Sequence, residues 1–569
     1  MSEKKTIRKV KGSEAVMLSL LEEGVDTIFG YPGGQIMPVY DALYDYKDRV
    51  KHILNRHEQG AIHAAEGYAR ATGKVGVCFT TSGPGATNLI TGLADALMDS
   101  TPVVCITGQV PASLLGTNAF QETDVIGISM PVTKWNYQIT TAEEIPEAIA
   151  KAFYIAASGR PGPVLLDLTR SAQIGEMEFH YKKCRSIRSY IPYPPLDEKK
   201  ILEAALLINE AKKPFVLAGQ GILLGNASGE LKAFIEKSGI PFGWTILGST
   251  AMPADHPLNM GMLGMHGNYA PNINTNECDV LIALGMRFDD RVTGLLSSYA
   301  PQAKIIHVDI DNAEINKNVK VHVPILGNVK EVLPLLTAHI KEKQYPEWVA
   351  SFKKLREVEE EKVIRKDLFP EKPGITMAEV VRRVNERTKG EAIYVTDVGQ
   401  HQMFVSRYAF HKHARHFITS GGLGTMGFGL PAAFGAKVGC PHKEVIVFAG
   451  DGGIQMTIQE LATMIQYEVA VKIILLNNHY LGMVRQWQEL FWNNRYSETP
   501  MYNPDFHKIA LAYGLNSSKV DKREQLDKAI DEMLASPKAY LLEVTVEKED
   551  NVFPMVPPGA AINNVLLGQ

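Results

Sequence analysis

Unbroken apolar runs that end in Gly, Ser or Thr recur along the chain and limit its possible folds. Examples are "VGVCFTTSGPG", "PFVLAGQG" and "EVIVFAGDGG". Such runs are typical of parallel strands that are buried on both faces and carry loops at their carboxyl ends. They alternate with helical patterns in three blocks, so we predict an α/β fold of three doubly wound parallel-sheet domains. The length of 569 residues agrees with about three domains of roughly 100–200 residues each.

Two stretches are predicted linkers between these blocks. Residues 186–200 contain three prolines and no periodicity, and residues 341–374 are highly charged and end in a Pro-rich turn. We therefore place the domains at residues 1–185, 195–345 and 370–569. The middle of the second linker, around "REVEEEKVIRK", is expected to be a solvated helix.

Composition excludes several classes of partner. The net charge of −4 does not favour nucleic acid or an anionic membrane surface. No apolar run approaches the roughly 20 residues of a membrane span. The five cysteines are scattered and form no C-x-x-C pair, which is typical of a reducing compartment and predicts a cytoplasmic protein.

The segment from residue 450 to 478 is predicted to be a strand–helix–strand unit with polar residues at both ends. Asp451 follows the strand "EVIVFAG", and Asn478 follows the strand "VKIILL". In a right-handed unit of neighbouring strands both side chains come out at one sheet edge, where such sheets place ligands. Mg²⁺ prefers oxygen ligands of this kind and usually shares its sphere with phosphate. Gly450, Gly452 and Gly453 would let the backbone approach a diphosphate closely.

Thr457 and Glu460 form a Thr-x-x-Glu capping box, which predicts that the helix of this unit begins there. Gly-Asp-Gly alone is common, and the same residues could merely cap turns. The spacing together with the Asn-Asn pair resembles the signature of thiamine diphosphate enzymes. This resemblance implies that Asp451 and Asn478 bind Mg²⁺, with the main-chain carbonyl of Tyr480 as a third ligand.

The stretch "RHEQGAIHAAEGYAR" contains a candidate catalytic glutamate, Glu58. Thiamine catalysis needs a carboxyl group that is hydrogen-bonded to pyrimidine N1′. The protein supplies this positioning, and the cofactor supplies the chemistry. The stretch resembles the N-terminal, pyrimidine-binding domain of this family, and we expect Glu58 to be buried and Glu66 to face solvent. Since Glu58 and Asp451 lie in different blocks, one cofactor spans two domains. In the family these domains come from different subunits, which implies at least a dimer.

The run "GLGTMG" (422–427) matches the G-x-G-x-x-G pattern, but the acidic partner expected of a dinucleotide site is not at its position. In thiamine diphosphate enzymes the run resembles the loop under the aminopyrimidine ring. There Met426 would hold the cofactor bent, and its backbone oxygen would take the 4′-amino proton. The other residues assigned to this cofactor are Val398, Gly399, Gln400, His401, Gly424 and Met456.

Across nearly its whole length the chain resembles the family of acetohydroxyacid synthase (acetolactate synthase) catalytic subunits. The stretches that carry this resemblance include "FGYPGGQIMPVYDAL", "NAFQETD", "RFDDRVTG" and "NNHYLGMVRQWQ". The "RFDDR" run lies in the middle block, where the family binds FAD; without the resemblance we would interpret it as a surface ion-pair cluster. The residues assigned to FAD are Arg160, Gly219, Gly221, Met265, His266, Gly285, Arg287, Asp289, Arg291, Asp309 and Asp311.

The resemblance also implies the substrate pocket. Met483, Val484 and Trp487 match residues that line it, and Trp487 is associated with a preference for 2-oxobutyrate over pyruvate. The residues assigned to the access channel and the reacting centre are Phe120, Gln121, Lys134 and Gly34. Gly34 would lie beside the thiazolium, where only glycine leaves room.

The implied reaction condenses two pyruvates to 2-acetolactate and carbon dioxide, or pyruvate and 2-oxobutyrate to 2-aceto-2-hydroxybutyrate. These products belong to branched-chain amino-acid biosynthesis. The implied assembly is a homodimer or homotetramer with a small regulatory subunit. The sequence leaves two other functions open: another thiamine diphosphate enzyme, such as a pyruvate oxidase or a 2-oxoacid decarboxylase, and a non-catalytic nucleotide-binding scaffold.

Overall fold

A computed structural model describes residues 8–568. It contains three parallel six-stranded sheets flanked by helices, which confirms the predicted fold class. One sheet lies within each of the three ranges that the linkers separate. The neighbouring residues Val77 and Cys78 of one strand belong to different buried clusters, so that sheet is buried on both faces. Within the described range, no helix combines the length and the apolar character needed to cross a bilayer.

The first domain carries the first sheet and a small antiparallel pair of strands. Its strands are β1 (Arg8–Lys11), β2 (Thr27–Gly30), β3 (Lys51–Leu54), β4 (Gly76–Thr80), β5 (Val103–Gln109), β6 (Trp135–Ile139), β7 (Val164–Thr169) and β8 (Glu176–Phe179). Its helices are α1 (Gly12–Glu22), α2 (Met37–Tyr44), α3 (Glu58–Thr72), α4 (Pro84–Thr87), α5 (Ile90–Met98), α6 (Val125–Ser129), α7 (Ile145–Ala157) and α8 (Arg170–Ile174). The sheet order is β3-β2-β4-β5-β7-β6, and β1 pairs with β8.

The central domain has the second sheet. Its strands are β9 (Pro214–Ala218), β10 (Phe242–Trp244), β11 (Asn259–Met262), β12 (Val280–Leu284), β13 (Lys304–Asp309) and β14 (Val323–Leu326). Its helices are α9 (Glu198–Glu210), α10 (Gly221–Leu224), α11 (Ser228–Ser238), α12 (Tyr269–Thr275), α13 (Asp290–Thr293) and α14 (Val329–His339). The strand order is β11-β10-β9-β12-β13-β14.

The second linker is mostly helical. It forms α15 (Pro346–Glu359), one turn of π-helix and α16 (Arg365–Leu368). The expectation of a solvated helix around "REVEEEKVIRK" is largely right, although Glu359 and Val363 of that stretch are buried. The preceding turns of α15 also bury Trp348 and Phe352. The Phe352 ring lies 5.1 Å from the Phe215 ring of β9, so one face of α15 covers the central sheet.

The third domain has the third sheet. Its strands are β15 (Ile393–Thr396), β16 (Phe417–Ile418), β17 (Val445–Gly450), β18 (Lys472–Asn477), β19 (Asn516–Val520) and β20 (Tyr540–Thr545). Its helices are α17 (Met377–Thr388), α18 (Gln400–Tyr408), α19 (Gly429–Gly439), α20 (Asp451–Met456), α21 (Glu460–Gln466), α22 (Gly482–Phe491), α23 (Phe506–Tyr513) and α24 (Arg523–Ala535). The strand order is β16-β15-β17-β18-β20-β19.

Two helices follow β17 where the sequence predicted one, and the second, α21, begins at Glu460, close to the predicted start. α20 starts directly at the end of β17, and α21 begins without a side-chain cap, so the predicted Thr457–Glu460 capping box is wrong. The Thr457 hydroxyl donates to the Gly427 carbonyl at 2.8 Å, and the Glu460 carboxylate accepts the Arg56 backbone N–H at 2.9 Å. Tertiary hydrogen bonds therefore occupy both side chains that the local cap would have used.

Helices α3 and α19 join the first and third domains through backbone contact. A Cβ atom at Gly67 would lie 2.0 Å from the carbonyl oxygen of Ala432, and one at Gly435 would lie 1.8 Å from that of Ala64. Only glycine permits so close an approach. The contact holds the helix that begins at Glu58 against the helix that follows the "GLGTMG" loop.

Candidate active site

The carboxyl ends of β17 and β18 bring the two predicted metal ligands to one edge. The strands are parallel neighbours, with Gly450 opposite Leu476, and Asp451 and Asn478 are both buried. The Asn478 carboxamide oxygen accepts the Tyr480 backbone N–H at 3.2 Å. These hard oxygens fit a small divalent cation such as Mg²⁺. Burial raises the pKa of the Asp451 carboxyl, and a bound cation would oppose that effect.

A residue that the sequence did not single out orients Asp451. The Asn503 carboxamide nitrogen donates to the Asp451 carboxylate at 2.6 Å and to the Asn477 side-chain oxygen at 3.0 Å. It thus links the ends of both strands. Asn503 lies in a loop without periodicity, so no local signal marked it.

A cavity of about 60 Å³ lies at this edge. The predicted residues that line it are Val398, Gly399, Gln400, His401, Met426, Gly450, Asp451, Gly452, Gly453, Asn478, Tyr480, Met483 and Val484. The structure therefore brings together the residues assigned to the diphosphate and the metal with two from the substrate pocket. Met456 lies outside this set, and its side chain is half exposed.

Two features of the cavity wall are suited to a bound diphosphate. A Cβ at Gly399 or Gly450 would lie 3.0 Å from the His401 ring, so the two glycines leave the space beside that ring open. The His401 Nε2 atom is buried and has no hydrogen-bond partner among residues 8–568. Burial lowers the pKa of His401 to about 4, so the ring is neutral and Nε2 could meet a ligand oxygen only as a donor tautomer.

Asp397, which was not predicted as a site residue, anchors the "GLGTMG" loop. Its carboxylate accepts the backbone N–H groups of Gly427 and Gly429, each at about 3.0 Å. Gly424 has a φ of 72°, a conformation that favours glycine. The loop therefore presents Met426 to the cavity. Asp397 directly follows β15, as Asp451 follows β17, and that parallel could have identified it.

Glu58 begins α3 at a separate edge. Its carboxylate accepts a hydrogen bond from the Asn88 carboxamide at 2.9 Å, and Gly85 approaches one of its oxygens. The side chain is only partly buried, contrary to the expectation of full burial. Asn88 ends the "TSGPGATN" run and had no predicted role.

Other residues predicted near Glu58 also lie on the first domain. Phe120 is 85% exposed, and the Gln121 backbone, at a φ of 61°, packs against Gly83. No atom of the same chain lies within 4 Å of the position that a Cβ at Gly34 would take. None of these residues lines the cavities of the third domain that the structure describes.

Lys134 is placed away from these residues. Its ammonium donates to the Ser158 carbonyl at 2.9 Å and to the Tyr190 hydroxyl at 3.1 Å. Burial lowers its pKa to about 8. Lys134 precedes β6 and so lies at the amino end of the sheet, whereas Glu58 follows the carboxyl end of β3. Its contacts attach the first linker to the first domain and do not reach the candidate site.

A larger cavity of about 540 Å³ lies among the three domains. The predicted residues that line it are Arg160, Gly221, Met265, His266, Gly285, Arg287, Asp289, Arg291, Asp309, Val398, Gly399, Gly424, Met426, Met483, Val484 and Trp487. Its volume is typical of cofactor sites, and its three arginines suit a diphosphate-containing ligand such as FAD. The same cavity reaches the predicted substrate-pocket residues.

Two predicted FAD contacts, Gly219 and Asp311, are not among the residues that line this cavity. A Cβ at Gly219 would lie 2.2 Å from the Gly285 carbonyl oxygen, so Gly219 stands behind the cavity wall. Asp311 is 3.3 Å from the Arg160 guanidinium, and Glu314, which the sequence analysis missed, is 2.8 Å from it. These acids orient Arg160 along the cavity.

Trp487 lies where the larger cavity meets α22. The Arg291 guanidinium is 5.8 Å from its ring centre, within the range of a cation–π contact. Its indole Nε1 is buried and has no acceptor among the described residues.

The "RFDDR" run leads into α13. Asp289 caps α13 by accepting a hydrogen bond from the Arg291 backbone N–H at 3.1 Å. The "RFDDR" run thus lines the cavity with Arg287 and Arg291, and is more than a surface cluster.

Comparison with known proteins agrees with this arrangement. Residues 10–128, 201–336 and 397–544 match the N-terminal TPP binding domain, the central domain and the C-terminal TPP binding domain of thiamine pyrophosphate enzymes.

The chain is also similar along its length to individual proteins. It is 46% identical to the acetolactate synthase isozyme 2 large subunit of Escherichia coli (strain K12), over 98% of this chain and 99% of that one. It is 46% identical to a probable acetolactate synthase large subunit of Methanocaldococcus jannaschii, over 98% and 95%. It is 44% identical to the acetolactate synthase large subunit of Lactococcus lactis subsp. lactis, over 98% and 96%. The chain therefore belongs to the thiamine pyrophosphate enzymes and, among them, to the acetolactate synthase large subunits.

Proposed function

We propose that this chain catalyses the acetolactate synthase reaction of branched-chain amino-acid biosynthesis. Two pyruvates and a proton give 2-acetolactate and carbon dioxide; pyruvate, 2-oxobutyrate and a proton give 2-aceto-2-hydroxybutyrate and carbon dioxide. The observation that carries the proposal is the 44–46% identity to acetolactate synthase large subunits over 98% of the chain. The continuity of the large cavity with Met483, Val484 and Trp487 supports it.

Some of the chain's own residues would bind and position the cofactor, and others would transfer a proton. Bound thiamine diphosphate supplies a carbon nucleophile for the keto carbon and accepts the electrons left by carbon dioxide. Glu58 would hold a proton on a carboxyl oxygen and share it with pyrimidine N1′, while Asn88 orients that carboxyl group. Met426 would support the ring from the loop that Asp397 anchors. The apolar wall of Met483, Val484 and Trp487 would exclude water.

We propose that Mg²⁺ is held by Asp451, Asn478 and the Tyr480 carbonyl, and that FAD occupies the larger cavity. The buried carboxylate and carboxamide oxygens at one edge support the first assignment. The arginines on the cavity wall support the second. No oxidation occurs in the net reaction, so the flavin would act as a structural cofactor.

Changing Asp451 to Asn is expected to weaken Mg²⁺-dependent thiamine diphosphate binding by at least about tenfold. Loss of even an outer-shell partner costs about 10- to 100-fold in metal affinity, and Asn503→Ala should fall within that range because Asn503 holds Asp451. Titration of intrinsic fluorescence with cofactor at several Mg²⁺ concentrations measures the effect. The exposed Asp255→Asn is the control. Unchanged Mg²⁺ dependence in Asp451→Asn would refute the ligand assignment.

Replacing Trp487 by Leu is expected to reduce the preference for 2-oxobutyrate over pyruvate by about 10-fold or more. A hydrophobic pocket discriminates one methylene by about 1–3 kcal/mol, so loss of one aromatic wall removes an effect of that order. The measurement is the product ratio with both oxoacids competing. Trp492, at the end of the same helix and 54% exposed, gives the matched variant Trp492→Leu. Equal ratios in the two variants would exclude Trp487 as the specificity residue.

We propose that the active unit is a homodimer or a larger homo-oligomer. Glu58, Gln121 and the exposed Phe120 line neither cavity in their own chain, so a second copy would bring them to the cofactor. The names of the relatives, which are large subunits, support a small regulatory partner. The five cysteines are free, in line with the expected cytoplasmic location.

Product analysis tests the function directly. The purified chain with thiamine diphosphate, Mg²⁺ and FAD is expected to convert pyruvate to 2-acetolactate without consuming oxygen. Hydrogen peroxide as the main product would show an oxidase, and acetaldehyde would show a decarboxylase. Absence of any product would favour a binding scaffold.

A further inference from the structure

Helix α3 carries a second glutamate, Glu66, in an unexpected place. Although the sequence predicted a solvated side chain, Glu66 is fully buried. One of its oxygens is 2.9 Å from His63 Nδ1, and the other has no partner among residues 8–568. On α5, Asp95 is also fully buried and has one carboxylate oxygen without a partner. An oxygen of each acid and a ring nitrogen of His63 all lie within 4.8 Å of one another.

The hydrogen bonds around Asp95 make it the acceptor of the two acids. Its Oδ1 atom accepts from the Ser420 hydroxyl and, at 2.8 Å, from the Thr425 hydroxyl. Two donors on one oxygen stabilise a carboxylate. A second bare carboxylate beside it, buried without a cation of its own, would be strongly unfavourable.

The hydrogen bonds around His63 place the remaining protons. Its Nε2 atom faces the Gln59 carboxamide nitrogen at 3.5 Å and acts as an acceptor, so Nδ1 carries the hydrogen that Glu66 Oε1 accepts. Burial lowers the pKa of His63 to about 4, so the ring is neutral. Burial, with the charge of Asp95 as the next cause, raises the pKa of Glu66 well above its ordinary value.

The neighbouring charges are already balanced. Arg70 of α3 lies 2.9 Å from Asp99 of α5, and Asp99 also accepts the backbone N–H groups of Gly421 and Gly422. Burial raises the pKa of Asp99 to about 6. The segment 419–426, which packs against both helices, contains no titratable side chain. Glu66 is therefore the group that takes the extra proton.

We propose that Glu66 donates a hydrogen bond to Asp95 through its carboxyl proton, and that this shared proton positions the loop of residues 419–427, which presents Met426. A continuous row of hydrogen bonds would then run from Gln59, next to Glu58, through His63, Glu66 and Asp95 to the hydroxyls of the loop that presents Met426. Glu66 is a positioning residue, since it acts through Asp95 and the loop. The effect on the cofactor rests on the proposed role of Met426, whereas the proton assignment does not.

Infrared difference spectroscopy of the cofactor-free chain tests the proton assignment. The spectrum of the unchanged protein minus that of Glu66→Gln is expected to show the carbonyl stretch of a protonated carboxyl group at neutral pH. The exposed Glu357→Gln serves as the control and should show a carboxylate band instead. A carboxylate band for Glu66 would overturn the proposal. So would a stoichiometric metal ion that is present in the unchanged protein and lost in Glu66→Gln, because the three residues would then be ligands.

The pH dependence of stability provides a second test, because a purely structural role of Glu66 would not make stability depend on pH. Folding raises the pKa of this carboxyl group above its unfolded value of about 4.3. The protonated group therefore contributes its full stabilisation of the folded state below that unfolded pKa, and this stabilisation is lost as pH rises through the folded pKa. Glu66→Gln cannot titrate, so its melting temperature relative to the unchanged protein should rise steadily as pH increases above about 4.5. A difference that is constant with pH would contradict the proposal.

Cofactor binding tests the positioning role. Glutamine can still donate to Asp95 and accept from His63, so Glu66→Gln should keep the dissociation constant of thiamine diphosphate within about twofold. Asp95→Leu removes the acceptor of both loop hydroxyls and should weaken binding about tenfold or more, since hydrogen bonds to charged groups are worth about 1.5–3 kcal/mol. Equal losses in the two variants would overturn the proposal. If acetolactate formation failed in the unchanged protein, the proposed function would fall while the infrared result stood.

Discussion

Glu58→Gln is expected to reduce the rate of acetolactate formation by about 10²- to 10⁴-fold, the range over which a positioned proton-transfer group contributes. The amide has nearly the same shape and can keep the hydrogen bond from Asn88 by its oxygen. It cannot supply a proton to pyrimidine N1′ and take it back. We therefore expect the loss in turnover, with cofactor and substrate affinities much less affected.

Two measurements separate this effect from damage to the fold. The melting temperature and thiamine diphosphate affinity of Glu58→Gln should stay close to those of the unchanged protein, because the side chain is only partly buried. Glu178→Gln, an exposed position of the first domain, should keep full turnover. If Glu58→Gln turned over at the ordinary rate, the proposed proton transfer would be wrong.

Arg407→Met is expected to lower the free energy of unfolding by about 3–5 kcal/mol, because removing one member of a buried ion pair leaves the other charge uncompensated. The Arg407 guanidinium lies 2.7 Å from Glu359, and both side chains are almost completely buried. It also donates to the carbonyls of His266 and Gly267 at 3.2 and 3.1 Å. The variant should therefore also loosen the loop that carries Met265 to the larger cavity and weaken FAD retention.

A double-mutant cycle shows whether the ion pair is responsible. Glu359→Leu with Arg407→Met should recover part of the stability, since an apolar pair leaves no buried charge. Thermal and urea midpoints measure stability, and flavin fluorescence measures release of FAD. As a control, Lys528→Met breaks an exposed pair with Glu532 and should cost about 0–1 kcal/mol. Additive effects of the Arg407 and Glu359 changes would argue against the coupling.

The residues at the ends of buried strands were predictable from the sequence because the signals are local. An apolar run of five or six residues indicates a strand buried on both faces, and a parallel sheet places its carboxyl ends on one edge. Asp451 and Asn478 follow such runs, and the structure brings them to a common cavity. Asp397 follows another such run and could have been found by the same rule.

Side chains whose environment comes from a distant segment were not predictable in this way. Lys134 was assigned to the site by the family resemblance, yet it precedes β6 and therefore lies at the opposite end of the sheet from Glu58. Thr457 and Glu460 formed a valid local cap, but partners from other segments took both side chains. Asn503 reaches the site through a loop that has no periodicity.

The sequence alone predicted the α/β class, the three sheets, the edge that carries the proposed metal ligands and the resemblance to a family. The tertiary structure decided burial, hydrogen-bond partners and therefore protonation. Glu66 illustrates the difference: its place in the helical pattern suited a solvated face, whereas α5 and the loop before α19 cover it and leave it beside Asp95. The physical reason is that a strand or helix is specified by its near neighbours in sequence. The dielectric surroundings of a side chain are set instead by segments that, here, lie more than 300 residues away.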